Sequence, residues 1–555
     1  MSRRTLTRFR LSCFVRLMCV GHMWLYQRSH AEAWFTEART RGLLDSNLAL
    51  ATEVKHLIDR KRILENDHHQ LRLAINKASQ PSLRPWHILD LPDEILSSVF
   101  DFVQGTRGID VHWLLRGRHI ANCRLVCQKF YRLSSMIFLP VVTVGFQASS
   151  LSRFEEISRH PIISKGVRGI RVALQFYDAS LSSSFETFIL HQASAVEERV
   201  TSMDEISTWR PRGAAEEAGQ ARVQKLRAIS ASWRRIAAGT QSEDLTEMDQ
   251  MHLSLLRTAH QIYQRLYSDQ EELHKTGSFA QRLAAARARM PCACTLDFTD
   301  LGAGPKVQMP SLFGSEDLNA RLYANMLQPM HFRAADMDGF TPSLCGAITQ
   351  LPVAVQDFGT PLERIEIHLT VVMSPSDLLP NLEIQNRLPS AMQQLQHFSF
   401  RCLSWRNEVS RHATLYSILA PFLDTPSIRE LSISMGSKSF EDSSVFDVSN
   451  LLTLQRWPNL SHVYLSGVCI HLSDFQIFLD ASCNPSTSLE LSSIWLLSGT
   501  WEVLLDGLHQ KPLRSIRLRD PKGGVSKNLS FEEFSEIFGR GSIYNEHNAP
   551  EFIQI

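Results

Sequence analysis

Leu460-Ser-His-Val-Tyr-Leu465 is the stretch on which the fold turns. A leading leucine is followed by apolar residues at the fourth and sixth positions. A period of two puts Val463 and Leu465 on one face of a strand and leaves His462 and Tyr464 on the other. Strand-like segments recur at Leu296-Asp-Phe298, Leu362–Leu369, Leu395–Phe400, Ile428–Ile433, Leu489–Ile494 and Leu513–Leu518, and several share the form Leu-x-x-ϕ-x-ϕ with ϕ apolar. Helical stretches lie between the later ones, at Tyr416–Leu423, Leu472–Ala481 and Trp501–Leu508, and Pro361, Pro426, Pro458 and Pro512 each precede a strand. A spacing of roughly 24–33 residues predicts units that each give one strand to a curved parallel sheet and one helix to its outside. A doubly wound sheet has the same local alternation, but the recurring leading leucine favours the repeat. Residues 293–520 form this body, and 521–555 are a tail.

Upstream, the pattern begins and is then interrupted. Val141–Phe146 reads as a strand, Leu151–His160 as a helix and Gly169–Tyr177 as a second strand, so 141–177 is a first unit. Residues 178–292 hold few prolines and much Ala, Glu, Gln, Leu and Arg, which predicts a helical insertion. Leu255, Ile262 and Leu266 with Tyr263 form its candidate apolar stripe, and breaks fall near Gly213 and Gly239. The Ala/Arg-rich run Arg282–Arg289 reads as a solvated helix.

Before the first unit stands Leu89-Asp-Leu-Pro-Asp-Glu-Ile-Leu-Ser-Ser-Val-Phe100. Ile95, Leu96, Val99 and Phe100 fall on one side of a short helix. Pro92 suits the first turn, where no N–H is needed, and Asp93 and Glu94 suit the positive end of the dipole. Asn122–Leu133 reads as a second amphipathic helix, with Leu125, Val126, Phe130 and Leu133 on one side. A glycine-containing linker separates the two, with room for a middle helix at Val111–Leu115.

Further upstream, Leu43, Leu50, Leu57, Leu64 and Leu71 recur every seventh residue, with Val54 and Ile75 on the adjoining seam. A coiled-coil helix over 43–78 follows, open to self-association. Asn47, Lys61 and His68 weaken that second seam, and Pro81 and Pro85 end it. A zipper-type DNA-binding regulator is an alternative reading. It lacks support, because Arg39 and Arg41 are the only basic residues in the turns before Leu43. Residues 1–42 are an Arg-rich leader with no acid before Glu32, the composition of a mitochondrial presequence, and read here as disordered. Arg16 and His22 break its apolar run short of the ~20 residues a membrane span needs.

A net charge of +1 over 555 residues argues for neither a nucleic-acid nor an acidic-surface partner. The ten cysteines are scattered, with no Cys-x-x-Cys and no histidine pair at zinc-finger spacing, so they read as reduced core residues of a cytoplasmic or nuclear protein. No phosphate loop, zinc-protease, nucleophile-elbow or kinase set is present, and the sequence implies no metal or cofactor.

The Leu-Pro-x-Glu-Ile-Leu opening and the Arg-Leu-Val-Cys-x-x-Phe closing over residues 86–140 resemble an F-box. The repeat body behind it resembles divergent leucine-rich repeats, as in fungal-type F-box proteins. The resemblance implies an α/β chain built from an N-terminal coiled-coil helix, a trihelical F-box and an irregular leucine-rich-repeat solenoid with a helical insertion. It also implies a non-catalytic substrate receptor of an SCF-type cullin–RING ubiquitin ligase, acting in ubiquitin-dependent protein degradation. An Skp-type adaptor, and through it a cullin, would dock on Leu91, Pro92, Ile95, Leu96, Val99, Phe100, Leu125, Val126, Cys127 and Phe130. The repeat surface would hold a protein substrate, with His368, Ser399, Arg401, Ser432 and Tyr464 as candidate contacts. The alternative within the same architecture is a leucine-rich-repeat scaffold outside any ligase.

Overall fold

The computed structural model describes residues 52–75, 77, 88–104, 113–208, 214–239, 245–301, 318–340, 343–372, 382–404, 409–436 and 446–524. Its strands in chain order are β1 Val141–Gly145, β2 Gly169–Ala173, β3 Thr295–Thr299, β4 Arg364–Val371, β5 His397–Ser404, β6 Glu430–Met435 and β7 Phe446–Asp447. They continue as β8 His462–Ser466, β9 Val468–His471, β10 Ser488–Ser492, β11 Trp495–Ser498, β12 Ser515–Arg519 and β13 Lys522–Gly523. Nine of them form one sheet in the order β1-β2-β3-β4-β5-β6-β8-β10-β12, and every pairing in it is parallel. The order follows the chain without reversal. The short strands β7, β9, β11 and β13 make a second parallel ladder.

The alternation read from the sequence becomes a register. Val142, Ile170, Leu296, Ile365, Phe398, Leu431, Val463, Leu489 and Ile516 align across the sheet, all buried, and the residues two further on form a second buried row. The intervening positions carry Arg171, Asp297, Glu366, Ser399, Ser432, Tyr464, Glu490 and Arg517. One face of the sheet is therefore apolar and packed, the other polar.

At five junctions neighbouring strands are joined by the same backbone contact just before the strand. The Glu363 carbonyl accepts from the N–H groups of Gln396 (2.8 Å) and His397 (2.9 Å), and the Gln396 carbonyl accepts from Arg429 and Glu430. Pro140, Cys294 and Arg429 carbonyls repeat the pattern. The leading residues Leu362, Leu395, Ile428 and Leu460 are buried beside these contacts. One frame differs from expectation. In β10 the alternating pair is Leu489 and Leu491, so Leu489 is not the leading residue and Ile494 lies past the strand. No leading leucine precedes it: the position three before Leu489 is the exposed Ser486, and the fully buried Thr487 donates to the Leu460 carbonyl at 2.7 Å. Past β3, the buried Asp300 carboxylate accepts from the N–H groups of Thr370 (2.7 Å) and Phe332 (2.8 Å).

A row of helices runs beside the strands in the same order: Ala148–Arg159, Ser278–Arg287, Ala347–Asp357, Leu382–Ala391, Val409–Leu423, Ser449–Leu452, Leu472–Ser482 and Trp501–His509, each touching the next. Ser278–Arg287 corrects the expectation of a solvated helix. Phe279, Leu283, Ala284 and Ala286 are buried, because small alanines let the helix sit closely between its two neighbours. Arg282 reaches Glu155 at 2.7 Å and Arg289, past the helix end, reaches Ser158 at 2.9 Å, whereas Arg287 is buried and donates to the Pro361 carbonyl at 2.6 Å. The insertion proper is thus the helices Phe185–Thr208, Ala214–Ala237 and Glu247–Lys275. In the last of these the fully buried stripe is Leu256, Ala259, Tyr263 and Leu273. Leu255, Ile262 and Leu266 are its half-buried flank. Polar bonds fasten it to the end of β2: Gln270 exchanges hydrogen bonds with both backbone groups of Tyr177, and the Tyr263 hydroxyl accepts from the Asp178 N–H at 2.8 Å.

Two compact units divide the chain after Pro92. In the first, residues 52–75 form one helix, α1, and Ile88–Asp90 a single 3₁₀ turn closed by the Leu91 N–H. Leu43, Leu50 and the leader 1–42 lie outside the described residues, as do 525–555. The second unit opens with three helices, α2 Asp93–Gln104, α3 Trp113–Arg124 and α4 Gln128–Ser135. Expectation placed a short middle helix at Val111–Leu115 and one continuous helix over Asn122–Leu133. Instead α3 runs to Arg124, since Gly117 costs a helix only about 1 kcal/mol. Its last turn tightens through Leu125 N–H to Asn122 O and Val126 N–H to Cys123 O. The chain then turns and restarts at Cys127, whose Sγ accepts from the Phe130 N–H at 3.5 Å.

Gly166, at the end of the short helix Ile163–Gly166, lets the chain just after α4 pack closely, since a Cβ there would stand 1.6 Å from the Met136 carbonyl oxygen. Gly166→Ala is expected to destabilise the fold by about 1–3 kcal/mol, read as a lower denaturation midpoint. An unchanged midpoint would show that the contact is not confining.

Candidate functional site

Two surfaces carry candidate residues. The first is the three-helix unit. Leu96, Phe100, Ile120 and Phe130 are its core, with Phe100 and Phe130 edge-to-face at 5.0 Å. Asp93 ties the start of α2 to α4 through Lys129 (3.3 Å) and Arg132 (2.5 Å). Arg124 locks α3 to α4: its guanidinium lies over the Tyr131 and Phe138 rings at 4.9 and 4.1 Å and bonds Ser135.

The expected docking residues therefore separate into two groups. Leu96, Phe100 and Phe130 are interior, and Cys127 caps α4, so these four shape the unit and do not present a surface. Ile95 (50% exposed), Val99 (40%), Leu125 (86%) and Val126 (66%) face outward. In the first unit, Pro92 is exposed and Leu91 half-buried. Sequence reading missed Phe102, 84% exposed, whose signal was its place seven residues after Ile95 on the same helical stripe. Ile95, Val99 and Phe102 share one face of α2, and Leu125 and Val126 lie in the turn between α3 and α4.

The second surface is the polar face of the sheet. Arg171 Nε lies 2.5 Å from Asp297 Oδ2, and His368 Nδ1 lies 3.9 Å from Oδ1 of the same carboxylate. Arg364 reaches Glu366 (3.4 Å) and Glu430 (3.7 Å), and His397 Nδ1 meets Glu430 at 2.5 Å. Burial pushes the Asp297 carboxyl up against the pull of Arg171, and pushes the His368 imidazole down against Asp297 and Glu366. Beyond these charges the face becomes hydroxyl-rich, with Ser432, Ser434, Tyr464, Ser466, Ser488 and Ser492 in register. The candidate contacts His368, Ser399, Arg401, Ser432 and Tyr464 all lie on this face.

Asp297, Glu366 and His368 offer one donor atom each within 4.8 Å of one another, a spacing that could hold a metal ion. Two guanidiniums already contact its carboxylates, Arg171 on Asp297 and Arg364 on Glu366. A divalent cation would have to displace or tolerate them. The arrangement is an ion-pair network that fastens β2 to β4. Only the parallel register makes it, so nothing in the separate stretches announced it.

No family model, curated protein or solved structure matches the chain. Among the described residues no helix is long and apolar enough to cross a membrane.

The division of the expected docking residues into interior and outward groups has a direct check. Leu96→Ala is expected to cost about 2–5 kcal/mol of stability, whereas Leu125→Asp should change it by less than about 0.5 kcal/mol. Equal losses in thermal denaturation would place Leu125 in the core.

Proposed function

We propose that the chain is the substrate-recognition subunit of an SCF-type cullin–RING ubiquitin ligase. In this reading the three-helix unit is an F-box and the sheet with its helix row is a divergent leucine-rich-repeat solenoid. The observation that carries the proposal is the three-helix unit. The Asp93–Phe100 part of the first block that resembles an F-box shares a buried core with the second block, and this core leaves Ile95, Val99, Phe102, Leu125 and Val126 exposed. Helix-borne apolar anchors of this kind bind by excluding water from a groove on the partner while polar residues form the rim. The solenoid reading draws on the unreversed strand order, the helix row that follows it and the single apolar face of the sheet. Protein substrate would lie along the polar face, and the ubiquitin chemistry would belong to other subunits.

The test is capture of an Skp-type adaptor by the full chain. Ile95→Lys with Val99→Lys, and separately Leu125→Asp with Val126→Asp, should each weaken capture by tenfold or more, about 1.4 kcal/mol. Leu96 is unsuited to this purpose, because it is buried in the core of the three helices and its substitution would weaken the fold as well as the surface. Absence of adaptor binding by the unaltered chain, or undiminished binding by both double variants, would sink the ligase reading and favour the scaffold.

A further inference from the structure

Helix α1 exposes its leucines. Leu57 is 56% exposed, Leu64 60% and Leu71 59%, and Val54 and Ile75 on the adjoining seam are 52% and 58% exposed. A helix of this length that leaves a heptad stripe in water loses the burial that normally holds helices together.

We propose that α1 pairs with the α1 of a second copy of this chain as a parallel, in-register coiled coil. The leucines define the d positions, which places Val54, Lys61, His68 and Ile75 at a. Arg60 and Asp67 then fall at g, and Glu65 and Arg72 at e. In a parallel pair each g residue faces the e residue five positions later on the partner helix. Arg60 therefore meets Glu65 of the second copy, and Asp67 meets its Arg72. Both pairs join opposite charges, and symmetry makes each occur twice.

Lys61 is the apparent obstacle, since two copies would bring it against itself. Within one helix its ammonium already leans 3.6 Å from Glu65 Oε1, toward the rim and away from the seam. A single lysine at a is a known device for restricting such coils to two strands at some cost in stability. The antiparallel alternative sets Arg60 opposite Asp67 and leaves Arg72 without an acid, so charge pairing favours the parallel arrangement. This inference stands apart from the ligase reading, and neither depends on the other.

Sedimentation of the full chain at micromolar concentrations tests it. The unaltered protein should pass from monomer to dimer with concentration, and Leu57→Asp with Leu64→Asp should hold it monomeric without moving the melting of the rest. Asp67→Arg should weaken the dimer by about tenfold, since two attractions become repulsions. Adding Arg72→Asp should restore it. Leu71→Cys should yield a disulfide-linked dimer absent from the unaltered chain. A monomer at all concentrations, or association indifferent to the leucine changes, overturns the proposal. Rescue of Asp67→Arg by Arg60→Asp in place of Arg72→Asp overturns the parallel arrangement.

Discussion

The register of the parallel sheet is the constraint on which the rest depends. Because Leu296, Ile365, Phe398, Leu431, Val463 and Leu489 align, a slip of one residue in any strand would turn its apolar residues to water and its charges into the core. That requirement fixes which side the helices occupy. It also brings Arg171, Asp297, Glu366 and His368 together from three strands far apart in the chain. The carbonyls of Glu363, Gln396 and Arg429, each accepting from the following unit, hold the register where side chains alone would allow it to slide.

Much of this was legible from the period of two, because nearly every strand has both alternating apolar residues and a leading one. Reading failed where the chain uses a different means to the same end. At β10 the leading position is the exposed Ser486 and closure comes from the buried Thr487 bonded to the Leu460 carbonyl, so no leading leucine marks the strand. The second ladder could not be foreseen, since strands of two to four residues such as β7 and β9 show no period. Ser278–Arg287 was misjudged because alanine is neutral to exposure. Its burial follows from two neighbouring helices close on either side, a tertiary fact.

For the candidate surfaces, sequence pattern located the helices better than it assigned their faces. Ile95, Leu96, Val99 and Phe100 look alike in the sequence, yet Leu96 and Phe100 turn inward toward Ile120 and Phe130 while Ile95 and Val99 turn out. The apolar band on α2 is wide enough for both roles, and only the positions of α3 and α4 divide it. Leu125 and Val126 are exposed because the second block is a turn between helices and not a continuous helix.

The helical insertion has a consequence for how the chain folds. Arg171 and Asp297, partners on adjacent strands, are 126 residues apart, whereas His397 and Glu430 are separated by 33. Closing the longer loop adds two doublings, only about 1.2 kcal/mol of entropy, so an insertion of this size is thermodynamically cheap. The kinetic effect is larger, because pairings distant in sequence slow folding far more than they weaken the product. The seam between β2 and β3 thus separates a chain that assembles by short local steps from one that must wait for a long-range encounter.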